Sequence, residues 1–309
     1  MPSAEQSAGP AELEFHRQHL LGRTGWLEAL AGVFAVVIGW FVLSILVVGL
    51  LDGVGIDVTV DPLTPGALLA TDLVWAFAIL LVAAVTLLVH QLPFGRVVSV
   101  VGRIRWRWLL ICLGLAVITL ALAVGVSMFF PQQPGTELSD HLNAFTDRMR
   151  DFTLIVVLLT PLQAAGEEFV FRGYLTQAFG GLARGRVGAA LAVVVPALLF
   201  ALAHGAQSLP VFVDRFAFGL IAGVLVLVTG GLEAGIAMHL LNNWLSLGLA
   251  LAVGDINAAI NPEGGTWGTL PSTLTQSLVY LALVLWIARR TGLETRSEGG
   301  VLAGNSGHR

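Results

Sequence analysis

The stretch FTLIVVLLTPLQAAGEEFVFRGYL, residues 152–175, decides how this chain is read. From Phe152 to Ala165 it holds one proline and no charge, and then it sets Glu167, Glu168 and Arg172 into the same run. An ionised carboxylate near the centre of a bilayer costs roughly 2.5–3.5 kcal/mol on insertion scales. Charges in such a run therefore call for a functional explanation, provided that the run crosses a membrane.

The rest of the chain says that it does. The 309 residues are 56% hydrophobic and 12% charged, half the charge of an average soluble domain at about 25%. The apolar residues come in blocks long enough to span about 30 Å of hydrocarbon. Eight spans are predicted, at Trp26–Leu51, Ala67–Leu92, Trp108–Phe130, Phe152–Phe179, Gly188–His204, Phe216–Thr229, Ala234–Val253 and Ser272–Ala288. The sixth is short. The first is too long for the 7–15 apolar residues of a signal peptide, so it reads as an uncleaved span. The fold class expected is an all-α polytopic membrane helix bundle with about eight transmembrane helices.

All sixteen basic residues are arginine. With the N-terminus placed in the cytoplasm, twelve lie in inner segments, Arg148, Arg150 and Arg215 lie in outer ones, and Arg172 stays in the membrane. This asymmetry predicts a multi-pass protein of the cell membrane with both termini cytoplasmic. The expected organisation is a polar N-terminal segment, 1–25, N-terminal spans, 26–151, and a core, 152–253. A last loop and span, 254–289, and a flexible tail, 290–309, complete it. A net charge of −4 makes no case for nucleic acid.

Three polar clusters interrupt the apolar core. Glu168 and Arg172 are i and i+4 on one helix face and can pair, whereas Glu167 is turned about 100° away without a same-face cation. In FALAHG, residues 200–205, His204 closes an uncharged run. In HLLNNW, residues 239–244, His239 and Asn243 point into one groove. Each cluster alone has a plain reading: charges at the headgroups, an interfacial histidine, an amide bonding between helices. Three in succession, on separate helices of one bundle, point to a site. Glu28, Asp72 and His90 lie near span ends, where they can reach water, and Glu233 follows Gly230-Gly231 as part of a turn.

These residues, in this order, resemble a known family. EEFVFR fits EExxxR, FALAH fits FxxxH and HLLNN fits HxxxN, the motifs of the CPBP intramembrane proteases. That group includes the type II CAAX prenyl endopeptidases and bacteriocin-processing or immunity proteins. The resemblance covers roughly Phe152 to Val253. It implies that Glu167 and His204 activate a water and that His239 and Asn243 bind the oxyanion. Glu168 and Arg172 would be supporting positions.

The chemistry of the residues agrees. A buried carboxylate without a cation is suited to take a proton from water, so Glu167 is a better base than Glu168. Amide and ring N–H groups at Asn243 and His239 suit a developing oxyanion. No cofactor is expected. Zinc on Glu167, His204 and His239 is the alternative, although no HExxH occurs. The expected partners are a peptide or membrane-protein substrate and the lipid bilayer. Two other readings are a non-catalytic immunity or scaffold partner and a proton-coupled transporter.

One geometric difficulty accompanies this expectation. At about 1.5 Å per residue, Glu167 and His204 lie about 20 and about 25 Å from their shared inner loop. His239 lies only about 9 Å from the turn at Gly230-Gly231. Straight, parallel helices would not bring them together.

Overall fold

The computed structural model describes residues 12–131, 138–204, 208–260 and 265–297. In lipid, backbone N–H and C=O groups find partners only within their own helix, and each long apolar run is accordingly helical. Among the described residues, seven helices are long and apolar enough to cross a membrane. They are α1 (Trp26–Gly53), α2 (Pro65–His90), α3 (Trp106–Ser127), α6 (Gly185–Ala203), α7 (Leu209–Thr229), α8 (Glu233–Val253) and α9 (Thr269–Thr291). Between α3 and α6 lie α4 (Asp147–Leu158) and α5 (Thr160–Gly180), bent by 41° and forming an eighth crossing if taken as one broken span. Among the described residues there is no strand, only three isolated bridges. The protein is an all-α polytopic bundle.

Local chemistry sets the ends. The Thr64 hydroxyl accepts from the Ala67 N–H at the start of α2, with Pro65 in the first turn; Thr146 does the same for α4 through Met149. Gly230, at φ +70°, ends α7 in the left-handed conformation that a side chain would oppose. The break between α4 and α5 falls at Leu159, just before Pro161, which has no N–H to continue the helix and fits only a first turn.

The helices pack as a ring, α5 on α8, α8 on α3, α3 on α9, α9 on α7, α7 on α6 and α6 back onto α5, with α2 and then α1 added outside α5. Every element bearing a motif residue thus touches α5 or its neighbour. Exposed Phe34, Phe41, Ile45 and Leu46 on α1 present an apolar face to the surroundings.

A layer of chain closes one end. A 3-10 helix, Phe15–Leu21, packs there with Phe15 and His19 buried. The His19 ring stacks on His90 at 3.9 Å, and His90 Nε2 meets the Tyr174 hydroxyl at 2.8 Å. Burial, aided by His90, pushes the His19 pKa well below its usual range, so the ring packs as a neutral plate. In the same layer Val100 N–H donates to Gly230 O at 2.8 Å, and Leu232 N–H to Val98 O at 3.0 Å. Arg296 pairs with Glu14 at 3.0 Å. Residues near the two ends of the described chain thus meet at one end of the bundle.

Several expectations change here. Glu233 is not in a turn; it opens α8, fully buried, and holds Arg105 through Nη2–Oε2 at 2.7 Å and Nε–Oε1 at 2.9 Å. Asp72 and His90 do not reach water: they are 2% and 1% exposed, because neighbouring helices and the N-terminal segment cover them. The short sixth span runs from Leu209, which brings Asp214 and Arg215 into a helix. The expected tail from residue 290 starts inside α9, and Ser297 N–H donates to Leu13 O at 2.9 Å. Residues 298–309 lie outside the described residues.

Candidate active site

The depth problem is resolved by departures from straight rods. Residues Phe169–Leu175 of α5 form a π-helical stretch, which packs more residues into each turn and so rises less along the axis, a feature common at functional sites. The α4–α5 bend adds to this. The turn 229–233 rests on the closing layer, so it lies inside the end of the bundle rather than on its surface. α5 can approach α2 closely because Gly166 sits where a Cβ would meet Trp75 O at 2.0 Å.

Glu167, His204, His239 and Asn243 then come together around one carboxylate. Glu167, 4% exposed, accepts on Oε1 from Gln163 Nε2 at 2.5 Å. Its Oε2 has no hydrogen-bond partner; it lies 3.6 Å from His239 Nε2 and 4.0 Å from His204 Nε2. Gln163 also accepts from Asn243 Nδ2 at 2.9 Å, so an amide relay joins α8 to the carboxylate. Sequence reading passed over Gln163. The available signal was its position four residues before Glu167, on the same helix face.

The ring orientations follow from their partners. His204 Nδ1 lies 2.8 Å from Phe200 O. A carbonyl only accepts, so Nδ1 carries a proton and the ring turns its Nε2 toward Glu167. His239 Nδ1 lies 2.9 Å from Glu168 Oε1, which likewise aims Nε2 at Glu167.

Glu168 and Arg172 are fully buried and paired at 2.9 Å, as the i, i+4 spacing predicts. The guanidinium also lies over the Phe200 ring at 4.1 Å, a favourable cation–π placement. Glu168 thus bridges Arg172 to His239, a link between helices that spacing alone did not reveal. The carboxylate reaches that place past Gly235, where a Cβ would stand 2.6 Å from Glu168 Oε2. Gly235→Ala is expected to destabilise the protein by about 1–3 kcal/mol through overpacking and to turn His239 away, read as a lower unfolding midpoint together with lower activity. An unchanged midpoint and rate would show that Glu168 has room to move.

Glu167, His204, Asn243 and Gln163 form part of the wall of a cavity of about 1550 Å³; His239 lies behind Glu167 and is not in that wall. Trp40, Phe41, Trp75 and Phe171, from α1, α2 and α5, share the wall with Asn242, Ser272, Thr273 and Gln276, from α8 and α9. Asp72 faces the cavity as well and accepts from the Thr160 hydroxyl at 2.8 Å, fixing the first residue of α5. Among the described residues, no group of three or more His, Cys, Asp or Glu side chains is gathered as a metal site.

Comparison with known proteins agrees with the motifs. The chain is 23% identical over 252 residues, 75% of its length and 78% of the relative's, to a protein of Bacillus subtilis (strain 168) named "Uncharacterized protein YyaK". No solved structure matches. Residues 149–245 match the family described as "Type II CAAX prenyl endopeptidase Rce1-like", a segment that contains Glu167, Glu168, Arg172, His204, His239 and Asn243. Over residues 149–245, therefore, the motif-bearing segment of this chain is similar to the Rce1-like type II CAAX prenyl endopeptidases of the CPBP family.

Proposed function

We propose that the protein is an intramembrane endopeptidase that cleaves a membrane-associated or lipid-bearing peptide with a water activated by Glu167 and His204. The observation that supports this most is the unpartnered Glu167 Oε2 facing His204 Nε2 at 4.0 Å. A water at ordinary hydrogen-bond distance from both bridges that gap. The wall's apolar side chains suit the hydrocarbon part of a substrate and its polar ones suit the peptide.

In the proposed step the water oxygen attacks the carbonyl carbon and its proton passes to Glu167 Oε2. His204 orients the water through its Nε2 lone pair. The carbonyl oxygen, now negative, is met by the second N–H of Asn243, whose first is held by Gln163. His239 stands behind Glu167, its Nδ1 held by Glu168 Oε1 and its Nε2 3.6 Å from Glu167 Oε2, and so positions the base rather than meeting the oxyanion. Glu167 then returns the proton to the leaving nitrogen as the C–N bond breaks. The products are a carboxylic acid and an amine, and the site is restored.

A metal reading has one observation in its favour. Both histidines turn Nε2 toward Glu167 while their Nδ1 atoms are held by a backbone carbonyl and a carboxylate, as zinc-bound histidines usually are. Against it, a Glu167 spent as a ligand would leave Glu168 as the base, and that carboxylate is already held by Arg172 and His239, so the glutamate reading stands first. A bound zinc would supply Lewis-acid polarisation of the carbonyl, held by Glu167, His204 and His239.

Purified protein in lipid nanodiscs is expected to cleave S-prenyl-cysteine peptides, with exhaustive chelation leaving the rate unchanged. Asn243→Ala is expected to lower kcat by about 10²–10³-fold, the usual cost of one oxyanion donor. Loss of activity on chelation with recovery on zinc would convert Glu167 to a ligand. Absence of cleavage, with a biological effect that survives Glu167→Gln in cells, would favour the non-catalytic partner. We place the protein in the cell membrane with both termini cytoplasmic, on the arginine asymmetry.

A further inference from the structure

Where α3 packs on α9, a groove remains at the end of the bundle that the N-terminal layer closes. It encloses about 440 Å³ between the segment leading into α3 and the residues that follow α9. Trp108 and Ile111 give it an apolar side, while Arg103, Arg105 and Arg107 face it against one carboxylate, Glu294. None of these residues lines the cavity that holds Glu167, so the groove is a separate place on the molecule.

The three arginines differ in what they hold. Arg105 is committed within the protein: Glu233 takes its Nε and Nη2, and its Nη1 donates to Thr229 O at 3.0 Å and to Glu294 O at 2.9 Å. Those bonds fix the two walls against each other, so the groove is preformed. Arg103 and Arg107 are exposed, and among the described residues their guanidinium groups have no ion pair or hydrogen bond. Two unpaired cations beside one exposed carboxylate leave a positive rim.

The rim and the side call for an amphiphile. A guanidinium fork suits phosphate oxygens, which it binds two at once. Ile111 lies about one turn deeper along α3 than Arg107, so the apolar side continues inward from the cations. Depth points the same way. Trp106, the first residue of α3, is exposed, and so is Trp286 near the end of α9, where Arg290 lies over its ring at 5.6 Å. Tryptophan concentrates at the level of the headgroups, so the phosphates within reach of this rim are those of lipids.

We propose that the groove binds one anionic phospholipid, its headgroup phosphate held by Arg103 and Arg107 and the start of an acyl chain lying along Trp108 and Ile111. The bound lipid bridges α3 to the end of α9, the helix that contributes Ser272, Thr273 and Gln276 to the wall of the candidate active site. Its binding does not depend on the protease reading.

The test is native mass spectrometry of the full chain in detergent with equal amounts of dioleoylphosphatidylglycerol and dioleoylphosphatidylcholine. The wild type is expected to retain one phosphatidylglycerol in about tenfold preference, the scale of one or two arginines at a lipid surface. Arg103→Gln/Arg107→Gln is expected to bring the ratio near one, and Arg103→Lys/Arg107→Lys to keep part of the preference. Because neither side chain holds another part of the protein, the unfolding midpoint in lipid-free detergent is expected to stay unchanged. Arg289→Gln/Arg290→Gln removes two arginines from the same end but outside the groove, and is expected to keep the full preference.

Equal retention of the two lipids by the wild type would overturn the proposal. An equal loss of preference in both glutamine pairs would do so too, since it would assign the effect to the net charge of that end. Displacement of the lipid by glycerol 3-phosphate at the same concentration would make the groove a site for soluble phosphate esters, which also overturns it.

Discussion

Glu167→Gln is expected to leave the protein folded and to lower peptide cleavage by about 10²–10⁴-fold, the usual contribution of a positioned general base. Glutamine keeps the volume of the side chain and its oxygen still accepts from Gln163, so the helix contacts survive. It cannot take a proton from water. The two effects are separated by measuring kcat/KM beside the thermal unfolding midpoint in the same nanodiscs. A variant that keeps its midpoint and loses its rate places the base at Glu167. Retained cleavage by purified Glu167→Gln would reject that role and turn attention to Glu168, whose Oε1 is already held by Arg172 and His239.

The largest effect on stability is expected at Arg172. Removing one partner of a buried ion pair leaves an uncompensated charge, which costs about 3–5 kcal/mol. Here Arg172→Met would strand Glu168, whose side chain is fully buried, and would also remove the cation from the face of Phe200. The double variant Glu168→Gln/Arg172→Met removes both charges and is expected to recover much of that loss, because apolar replacement of a whole buried pair is often close to neutral. Unfolding titrations of the two variants and the wild type measure it. Equal stability of Arg172→Met and the wild type would mean that His239 alone neutralises Glu168. Even when stability is recovered, the double variant is expected to have low activity, since His239 Nδ1 has lost its charged acceptor.

Much of this protein was readable in one dimension. Each apolar run became helical because hydrocarbon offers the backbone no other partner, although the run 152–179 became the broken pair α4 and α5 and the sixth span began seven residues earlier, at Leu209. The pairing of Glu168 with Arg172 was legible for the same local reason: four residues bring side chains together on any helix. Glu233 was misjudged because its partner, Arg105, comes from the connection before α3 and lies 128 positions away. Gln163 was missed because an uncharged amide in an apolar run carries no signal until its acceptor and donor are known.

The order of hydrophobic runs and the local spacing of polar residues thus determined the bundle and named the side chains of the candidate site, since hydropathy and helical period are properties of neighbouring residues. Tertiary structure alone decided that Glu168 reaches His239, that Gln163 links Asn243 to Glu167, and that three helices of unequal depth meet. Those outcomes depend on how far each helix is rotated, bent at Pro161 or slowed in its rise by the π stretch at Phe169–Leu175. Such rotations and shifts arise from packing between segments distant in sequence, and no local period encodes them.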